Sequence, residues 1–299
     1  MTDGRARLPD ETGHLAAPDG VRIAYEVFGS GEPTILLLPS APIIHSRQWK
    51  GQVPYLSRRH RVVTYDGRGN GASDRPTAPE AFRDDCYVSD VATVMDGTGT
   101  DRAVLVGLCT DAVWRAIRYA VQQPERVLGI VAFAVGVPRL TPSHPHYIAA
   151  GATFNDELPA YDGWGKYNRN YWVEHYEDFL DFFFSQCLTE PHSTKPHEDT
   201  VGWGLETDGP TLVATQLAPR FRGEADVRAL LSRIDCPILV IHGSDDHVRP
   251  CASGARLAEL GNGALAVLEG SGHLLHARDP VKVNLLLHDF IARFGGNAA

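Results

Sequence analysis

The chain has 299 residues, of which 43% are hydrophobic and 22% charged, as in one large α/β domain or a core domain with an insertion. Its net charge of −9 argues against nucleic acid and anionic membranes as partners, and the longest apolar run, Val127 to Val137, is too short to cross a bilayer. The first 20 residues lack the apolar core of a signal peptide and the five cysteines have no C-x-x-C spacing, so we expect a cytoplasmic protein without a disulfide framework or zinc site.

Strand and helix patterns alternate along the chain. We expect residues 1–12 to be a mobile lead-in, and Asp19-Gly20 predicts a hairpin turn before the first strand. Strands are predicted at Val21–Phe28, Thr34–Leu38, Arg61–Tyr65, Ala103–Val106, Val127–Val135, Ile238–Ile241 and Ala264–Leu268. Helices are predicted at Ser46–Arg58, Val88–Gly97, Thr110–Gln123, Cys251–Leu260 and Val281–Phe294. This alternation favours a parallel sheet covered by helices on both faces.

The alternation stops between residues 138 and 226. That segment has no convincing buried strand and contains 14 of the 26 aromatic residues of the chain. We interpret it as a helical cap inserted after the strand that ends near Val135. The predicted organisation is therefore a core of residues 1–137 and 227–299 with a cap of residues 138–226. Most of the aromatic residues are expected to form the core of the cap, and those that face the other domain would line an apolar pocket.

An apolar strand pattern stops abruptly at Gly107-Leu-Cys109, and a helical pattern begins at the next residue. A turn this sharp between a strand and a helix holds its central side chain exposed in a strained backbone, which is the geometry of a nucleophile elbow. A buried structural cysteine at the end of a strand is the alternative, because free cysteines are often part of the core. The segment alone leaves both interpretations open.

A thiol nucleophile needs a base to accept its proton and a third group to orient that base. Two further strands end in suitable residues: Ile238–Ile241 runs into Asp245 and Asp246, and Ala264–Leu268 is followed by His273. Ligands bind at the carboxyl ends of strands in open α/β sheets. The order along the chain is therefore cysteine, acid, histidine.

Four motifs in this order resemble the α/β-hydrolase fold superfamily over nearly the whole chain outside the cap. Tyr65-Asp-Gly-Arg-Gly-Asn-Gly-Ala-Ser73 resembles the D-x-R-G-x-G-x-S loop, and Gly107-Leu-Cys-Thr-Asp111 occupies the place of the G-x-S-x-G elbow. His242-Gly-Ser-Asp-Asp246, followed by Pro250, resembles the acid loop, and Gly270-Ser-Gly-His273 resembles the histidine loop. The resemblance implies a mostly parallel central sheet with helices on both faces and an inserted helical cap.

Carried over by position, the resemblance implies Cys109 as the nucleophile, His273 as the base and Asp246 as the orienting acid. The oxyanion hole would be formed by the backbone amides of Thr110 and Ala41, although Pro39-Ser-Ala41 replaces the His-Gly-x turn that is frequent in the family. Asp245 is expected to be a solvated loop acid. The nearby histidines, His242, His247 and His276, are expected to be structural or ordinary polar residues.

Two departures from the family pattern have chemical consequences. Sulfur in place of oxygen favours thioesters, activated esters, lactones or acyl transfer, because attack of a thiolate on an ordinary oxygen ester is uphill. The helix N-terminus and a protonated His273 would lower the pKa of the thiol. Asp111 replaces the second glycine of the elbow. Three roles remain open for it: a favourable charge in the first helical turn, opposition to thiol ionisation, or a hydrogen bond to substrate.

The remaining candidates concern substrate. A small-molecule acyl substrate, expected to be apolar, would contact His45, Asp111, Trp114, Trp164 and Trp172. No cofactor or metal is predicted, because the Gly-rich run at 67–71 lacks G-x-G-x-x-G spacing and no metal-ligand cluster stands out. The leading hypothesis is a hydrolase or acyltransferase that works through a Cys109 thioester. The alternatives are a non-covalent acid–base enzyme of the same fold and a binding protein. The ratio of 24 Arg to 4 Lys is typical of a GC-rich bacterial genome.

Overall fold

The computed structural model describes residues 5–219 and 223–294. Among them, eight strands form one sheet in the order β1-β2-β4-β3-β5-β6-β7-β8. The strands are β1 (Glu11–Ala16), β2 (Arg22–Phe28), β3 (Thr34–Leu37), β4 (Val62–Tyr65), β5 (Ala103–Leu108), β6 (Val127–Phe133), β7 (Ile238–Gly243) and β8 (Ala264–Leu268). β1 and β4 each pair antiparallel with β2, and every other neighbouring pair is parallel. The mostly parallel sheet that the sequence predicts is therefore present.

Helices cover both faces of this sheet. They are α1 (Val53–Leu56), α2 (Asp84–Gly97), α3 (Cys109–Gln122), α4 (Pro145–Ala152), α5 (Arg169–Glu174), α6 (Tyr176–Cys187), α7 (Thr194–Gly204), α8 (Gly209–Leu217), α9 (Glu224–Leu231), α10 (Cys251–Leu260), α11 (Leu275–Arg278) and α12 (Pro280–Phe294). None of the helices in the described ranges has both the length and the apolar character that a bilayer span requires.

The central strands are wholly or nearly wholly apolar because helices cover both faces of the sheet. Successive side chains of a strand point to opposite faces, so a strand between two helical layers is apolar at every position. Ile35 and Leu37 belong to the apolar cluster that contains residues of α1, α12 and the segment between β6 and β7. Leu36 belongs to the other cluster, which contains residues of α2, α3 and α10.

Two predicted elements differ from the structure at the N-terminal side of the sheet. Residues 1–4 of the expected lead-in lie outside the described residues, and the expectation is wrong at residues 11 and 12, because Glu11 and Thr12 pair with Val27 and Glu26 at the start of β1. β1 is an edge strand with mostly exposed side chains, so it lacks the apolar pattern by which strands are recognised. The helix predicted at Ser46–Arg58 is divided into a 3-10 turn, Ser46–Gly51, and α1, because Pro54 has no N–H to continue the hydrogen-bond ladder.

The segment between β6 and β7 is helical, with no strand in its described part. Its aromatic residues pack on each other: the ring centroid of Trp172 lies 4.9 Å from that of Phe154 and 4.8 Å from that of Phe179. The predicted boundary at residue 226 falls inside α9, and Val227 and Leu231 of this helix belong to the cluster under α3. α9 therefore packs as part of the sheet-covering layer and begins before the predicted boundary.

Candidate active site

Cys109 occupies the sharp turn between β5 and α3. Its φ of 63° lies in the left-handed region, which costs energy for any residue with a Cβ. Gly107 permits the turn: a Cβ at this position would lie 3.0 Å from the Ala112 carbonyl carbon and 3.1 Å from the Val113 nitrogen. The strand and the helix approach so closely that the chain must reverse at Cys109, as expected of an elbow.

Asp246 lies in the loop after β7 and is almost fully buried. One carboxylate oxygen accepts hydrogen bonds from the backbone N–H groups of Val248 and Arg249, both at 2.8 Å. The other oxygen lies 2.8 Å from His273 Nδ1 and 3.2 Å from His242 Nε2. Burial raises the pKa of the Asp246 carboxyl, but the charge of His273 and the hydrogen bonds of His242 and His273 outweigh it and hold this pKa well below its usual range. The carboxylate is therefore ionised and fixed.

His273 lies between this carboxylate and the thiol. Its Nδ1 lies 2.8 Å from the Asp246 carboxylate, and His273 and Cys109 line the same cavity. Burial lowers the pKa of the imidazole, but the negative charges of Asp246 and Cys109 raise it by more. The pKa of His273 is therefore above its usual value. The backbone N–H of His273 donates to the carbonyl of Cys187 at 2.9 Å, which ties the histidine loop to the end of α6.

The surroundings of Cys109 lower the pKa of its thiol. Burial raises the pKa of this thiol, whereas the charges of Arg249 and His273 lower it, and the net shift is downward. Asp111 opposes ionisation. The site can therefore hold a thiolate beside an imidazolium, the pair that a sulfur nucleophile requires.

The two residues predicted to supply oxyanion donors both line the cavity beside Cys109. Thr110 lies in the first turn of α3, where backbone N–H groups have no intrahelical partner. Among the described residues, no acceptor is hydrogen-bonded to the Ala41 amide. The hydroxyl of Ser40 donates to the Leu108 carbonyl at 3.1 Å, which holds this turn against the elbow. Two backbone donors of the described chain are thus available near the sulfur.

A cavity of about 820 Å³ opens above the sulfur, between the sheet edge and the helices inserted after β6. Its wall contains predicted site residues together with apolar side chains of both layers: Ala41, Cys109, Thr110, Asp111, Trp172 and His273 among the former, and Ile43, Val137, Phe179, Phe183 and Leu212 among the latter. Asp246 lies directly behind His273. The Trp172 indole N–H is buried and donates to no described residue.

Three predicted substrate contacts lie outside this wall, which corrects their assignment. His45 is fully buried and caps the 3-10 turn after β3, with its Nε2 3.4 Å from the Glu206 carboxylate. Trp114 faces the helical layer below and donates to the Gly136 carbonyl at 2.9 Å. Trp164 stacks on His146 within the aromatic core of the insertion, at 4.5 Å between ring centroids. None of these three side chains is among the residues that line the cavity.

The remaining predicted positions have clear surroundings. Asp245 is exposed and lies 3.3 Å from His247, as expected of a solvated pair. His242 is structural, with its Nε2 3.1 Å from the Arg249 carbonyl. His276 differs from the ordinary polar residue expected: its ring is fully buried, forms no hydrogen bond with a described residue and packs on Trp49, and burial lowers the pKa of its imidazole to about 3.

Asp111 lies in the first turn of α3 and on the cavity wall, so the structure places it where all three of its proposed roles are possible. Its carboxylate is 4.0 Å from the Arg115 guanidinium, one turn further along the helix. The Gly-rich run at 67–71 is structural, because the Arg68 guanidinium is buried against the carboxylates of Asp90 and Asp19. Within residues 5–219 and 223–294, no cluster of His, Cys, Asp or Glu is arranged to hold a metal ion.

Arg249 and Tyr147 line the cavity and were not predicted from the sequence. The Arg249 guanidinium stacks over the Tyr147 ring at 4.3 Å. The only signal for Arg249 was its position three residues after Asp246 in the acid loop, beside the elbow. Tyr147 belongs to the insertion, whose packing on the core has no local sequence pattern.

Comparison with known proteins supports the same fold. A family model described as alpha/beta hydrolase fold matches residues 33–280. The chain is 25% identical to 3-oxoadipate enol-lactonase 2 of Acinetobacter baylyi, over 94% of this chain and 96% of that protein. It is 26% identical to the non-heme chloroperoxidase of Streptomyces lividans, over 93% of this chain and 99% of that protein.

The fold extends to solved structures. The bromoperoxidase of Bacillus anthracis superposes with a TM-score of 0.78 at 24% identity, covering 94% of this chain and all of that one. The sheet order, the elbow after β5 and the family match over most of the chain agree. This chain therefore belongs to the α/β-hydrolase fold family.

Proposed function

We propose that the protein is an acyl-processing hydrolase or acyltransferase that works through a thioester at Cys109. Its relatives in the family include esterases, lactonases and haloperoxidases, which support a hydrolase. The observation that carries the proposal is the hydrogen bond between Asp246 and His273, together with the position of His273 and Cys109 on the wall of one large cavity. We call Cys109, His273 and Asp246 the proposed triad.

In the first half-reaction, the Cys109 thiolate attacks the carbonyl carbon of the substrate, and the carbonyl π electrons move to oxygen. The amides of Thr110 and Ala41 would donate to this oxyanion, and one such donor contributes about 3–4 kcal/mol to transition-state stabilisation. When the intermediate collapses, the bond to the leaving group breaks and the leaving group takes the proton from His273. The product is a Cys109 thioester.

In the second half-reaction, neutral His273 removes a proton from water, and the hydroxide formed attacks the thioester carbon. The bond to sulfur breaks, the carboxylic acid leaves, and the thiolate–imidazolium pair is restored. A thiol or amine acceptor in place of water would give acyl transfer by the same steps. Asp246 keeps its charge throughout and orients the imidazole.

The energy of the Cys109 thioester relative to the substrate determines which substrates can react. A thioester formed from an ordinary alkyl ester lies uphill, whereas one formed from a thioester, or from an ester with a stabilised leaving group such as an enol lactone, is nearly balanced. One relative is named as an enol-lactonase. We therefore infer activated esters, lactones and thioesters as the substrate class, with an acyl chain that fits the apolar wall of the cavity.

The test is intact-mass analysis with S-phenyl thiobutyrate. The unmodified protein should form a butyryl adduct at Cys109. His273→Gln should form this adduct more slowly, because its thiol is less ionised, but the adduct should persist, because the variant lacks the base for the second half-reaction. Cys109→Ala should form no adduct and should lose about a thousandfold or more in kcat/KM.

Cys236→Ala is the matched control, because Cys236 lies outside the cavity wall, and it should behave like the unmodified protein. Full turnover by Cys109→Ala would refute covalent catalysis. Turnover that survives Cys109→Ala but is lost in His273→Ala would assign the site to non-covalent acid–base chemistry, and no turnover with an unreactive thiol would indicate a binding protein.

A further inference from the structure

The cavity wall contains a cation that the proposed triad does not explain. Arg249 is half-buried, and its three nitrogens donate to neutral acceptors: Nε to the Thr110 hydroxyl at 2.9 Å, Nη1 to the Val248 carbonyl at 3.0 Å, and Nη2 to the Tyr147 hydroxyl at 3.3 Å. Among the described residues, no carboxylate forms an ion pair with this guanidinium. The nearest negative charge is the Cys109 thiolate, which Arg249 stabilises without a carboxylate bound to its own N–H groups. A guanidinium on a cavity wall without a carboxylate partner can bind an anionic group of a ligand.

The Arg249 guanidinium is also fixed in position and has N–H donors left for a ligand. It has five N–H donors, of which the three hydrogen bonds above use one from each nitrogen, so two remain. Gly136 leaves room for the side chain, because a Cβ there would lie 3.0 Å from Arg249 Cδ. The ring of Tyr147 supports the guanidinium plane from one side. A guanidinium fixed in this way loses little freedom when a planar carboxylate binds it.

A second arginine lies on the same wall. Arg139 is exposed, has a φ of 65°, and has no carboxylate partner among the described residues. It stands in the loop that follows β6. The two arginines thus extend a positive surface along one side of a cavity in a protein whose net charge is −9.

The charges of the cavity leave one positive charge in excess at both stages of the proposed reaction. The proposed triad carries one net negative charge at rest, as thiolate, imidazolium and carboxylate. It carries the same charge in the acyl-enzyme, as thioester, neutral imidazole and carboxylate. Arg249 and Arg139 together carry two positive charges, and Asp111 is balanced by Arg115. A ligand with one negative charge would neutralise the cavity throughout.

We infer that the acyl group of the substrate carries a carboxylate, which binds Arg249, with Arg139 adding attraction from the loop after β6. The inference rests on the proposed function and refines its substrate class: half-thioesters, activated half-esters or lactones of dicarboxylic acids. The apolar wall would hold the methylene chain between the reacting carbonyl at Cys109 and the carboxylate at Arg249.

The kinetic test compares two thioesters with acyl chains of five carbons, the S-phenyl half-thioester of glutaric acid and neutral S-phenyl thiopentanoate. The unmodified protein should prefer the anionic thioester by about 10- to 100-fold in kcat/KM, the range of one charge-assisted hydrogen bond. Arg249→Gln should abolish this ratio, Arg249→Lys should retain part of it, and Arg139→Gln should reduce it less. Arg249 also affects the pKa of Cys109, and this effect changes kcat/KM of both thioesters together. The ratio of the two kcat/KM values is therefore the quantity that reports binding of the carboxylate.

Arg256→Gln is the matched control, since Arg256 pairs with Glu259 on α10 outside the cavity wall, and its ratio should equal that of the unmodified protein. A ratio near one in the unmodified protein, or an unchanged ratio in Arg249→Gln, would overturn the inference.

A binding test uses the unmodified protein and needs no turnover. Glutarate should protect Cys109 from iodoacetamide, followed by intact mass, at concentrations at which glutaramide does not. Equal protection by both compounds, or by neither, would contradict an anion site. If neither thioester is turned over but glutarate alone protects, the proposed function fails and the anion site stands.

Discussion

At the scale of single residues, the ionisation of Cys109 depends on opposing charges. Arg249 and His273 stabilise the thiolate, while burial and Asp111 oppose it. Both effects matter because of the two departures from the family motif. A sulfur nucleophile needs a lowered pKa to be ionised near neutrality, and Asp111, which opposes this ionisation, occupies the position of a glycine. The reactivity of this thiol is therefore adjustable in both directions by neighbours that lie far apart in the sequence.

We expect Asp111→Asn and Arg249→Gln to shift the pKa of Cys109 in opposite directions. Removing the carboxylate charge lowers the pKa further, so the iodoacetamide rate should reach its half-maximum at a lower pH. Removing the guanidinium charge raises the pKa and moves this midpoint to higher pH. The measurement is alkylation of Cys109 against pH, followed by peptide mass.

Cys236 is the internal control for that measurement, because burial raises the pKa of its thiol to about 11 and the two substitutions should leave its rate unchanged. Midpoints that move in the same direction in both variants would contradict the electrostatic account.

The residues of the proposed triad could be proposed from the sequence because each lies in a short motif that follows an apolar strand pattern. The surroundings of His45 and Arg249 were not. His45 is turned away from the cavity by Glu206, which lies 161 positions later in the chain and has no motif of its own. Arg249 becomes part of the site only because Thr110 and Tyr147, from two distant segments, supply its hydrogen bonds.

At the scale of elements, the end of β7 and the histidine loop are in backbone contact. A Cβ at Gly243 would lie 2.1 Å from the Ser271 carbonyl oxygen and 2.5 Å from that of Gly272. This approach places the acid loop and the histidine loop side by side. The hydrogen bond between Asp246 and His273 therefore depends on the absence of a side chain at Gly243.

Gly243→Ala should lower the free energy of unfolding by about 1–3 kcal/mol, the usual cost of overpacking. The added methyl group would meet backbone atoms, which cannot move aside as a side chain can. Urea unfolding measures the loss, and kcat should fall because His273 is displaced.

Gly202→Ala is the matched control, since this glycine is exposed on α7 and an added methyl would have no described atom within 4 Å. It should be neutral or stabilise the protein by up to about 1 kcal/mol, because alanine favours a helix over glycine. Equal destabilisation by the two substitutions would show that close approach at Gly243 is unimportant.

The central strands were predictable from their apolar runs, whereas the edge strand β1 was not. β3, β4 and β5 are buried at every position, so nearly all of their residues are apolar and the pattern is strong. β1 is exposed along most of its length and is held by its backbone pairing with β2, which any sequence can make.

At the scale of the whole molecule, charged side chains join the inserted helices to the sheet domain. Arg47 and His45 contact Glu206, and Lys50 contacts Asp199. The hydroxyl of Thr207 donates to the Gly69 carbonyl at 2.6 Å in a buried position. These contacts hold the roof of the cavity over the proposed triad.

Glu206→Gln should weaken this attachment in a pH-dependent way. Burial raises the pKa of the Glu206 carboxyl, but the hydrogen bond and charge of His45 and the charge of Arg47 lower it more, so the net shift is downward. A carboxyl with a lowered pKa contributes stability above its unfolded pKa of about 4.3 and loses it as pH falls through the folded value. The difference in Tm between the unmodified protein and the variant should therefore be largest near neutral pH and should disappear in acid.

Glu198→Gln controls for the loss of one surface charge, because Glu198 is exposed on α7 and lies 3.9 Å from Lys195. It should change Tm little at any pH. A Tm difference for Glu206→Gln that persists unchanged at about pH 3, below the unfolded pKa, would contradict the ion-pair explanation.

The sequence alone determined the class of fold and the positions of the central strands along the chain, and it supplied the three residues of the proposed triad as candidates. These follow from local patterns, since apolar runs mark strands between helical layers and short loops at strand ends carry the chemical groups. The tertiary structure alone decided which side chains line the cavity. In the structure, Arg249 and Tyr147 line the cavity, whereas His45, Trp114 and Trp164 do not. The reason is physical: a side chain's orientation is set by its packing and hydrogen-bond partners, which here come from segments far apart in the chain.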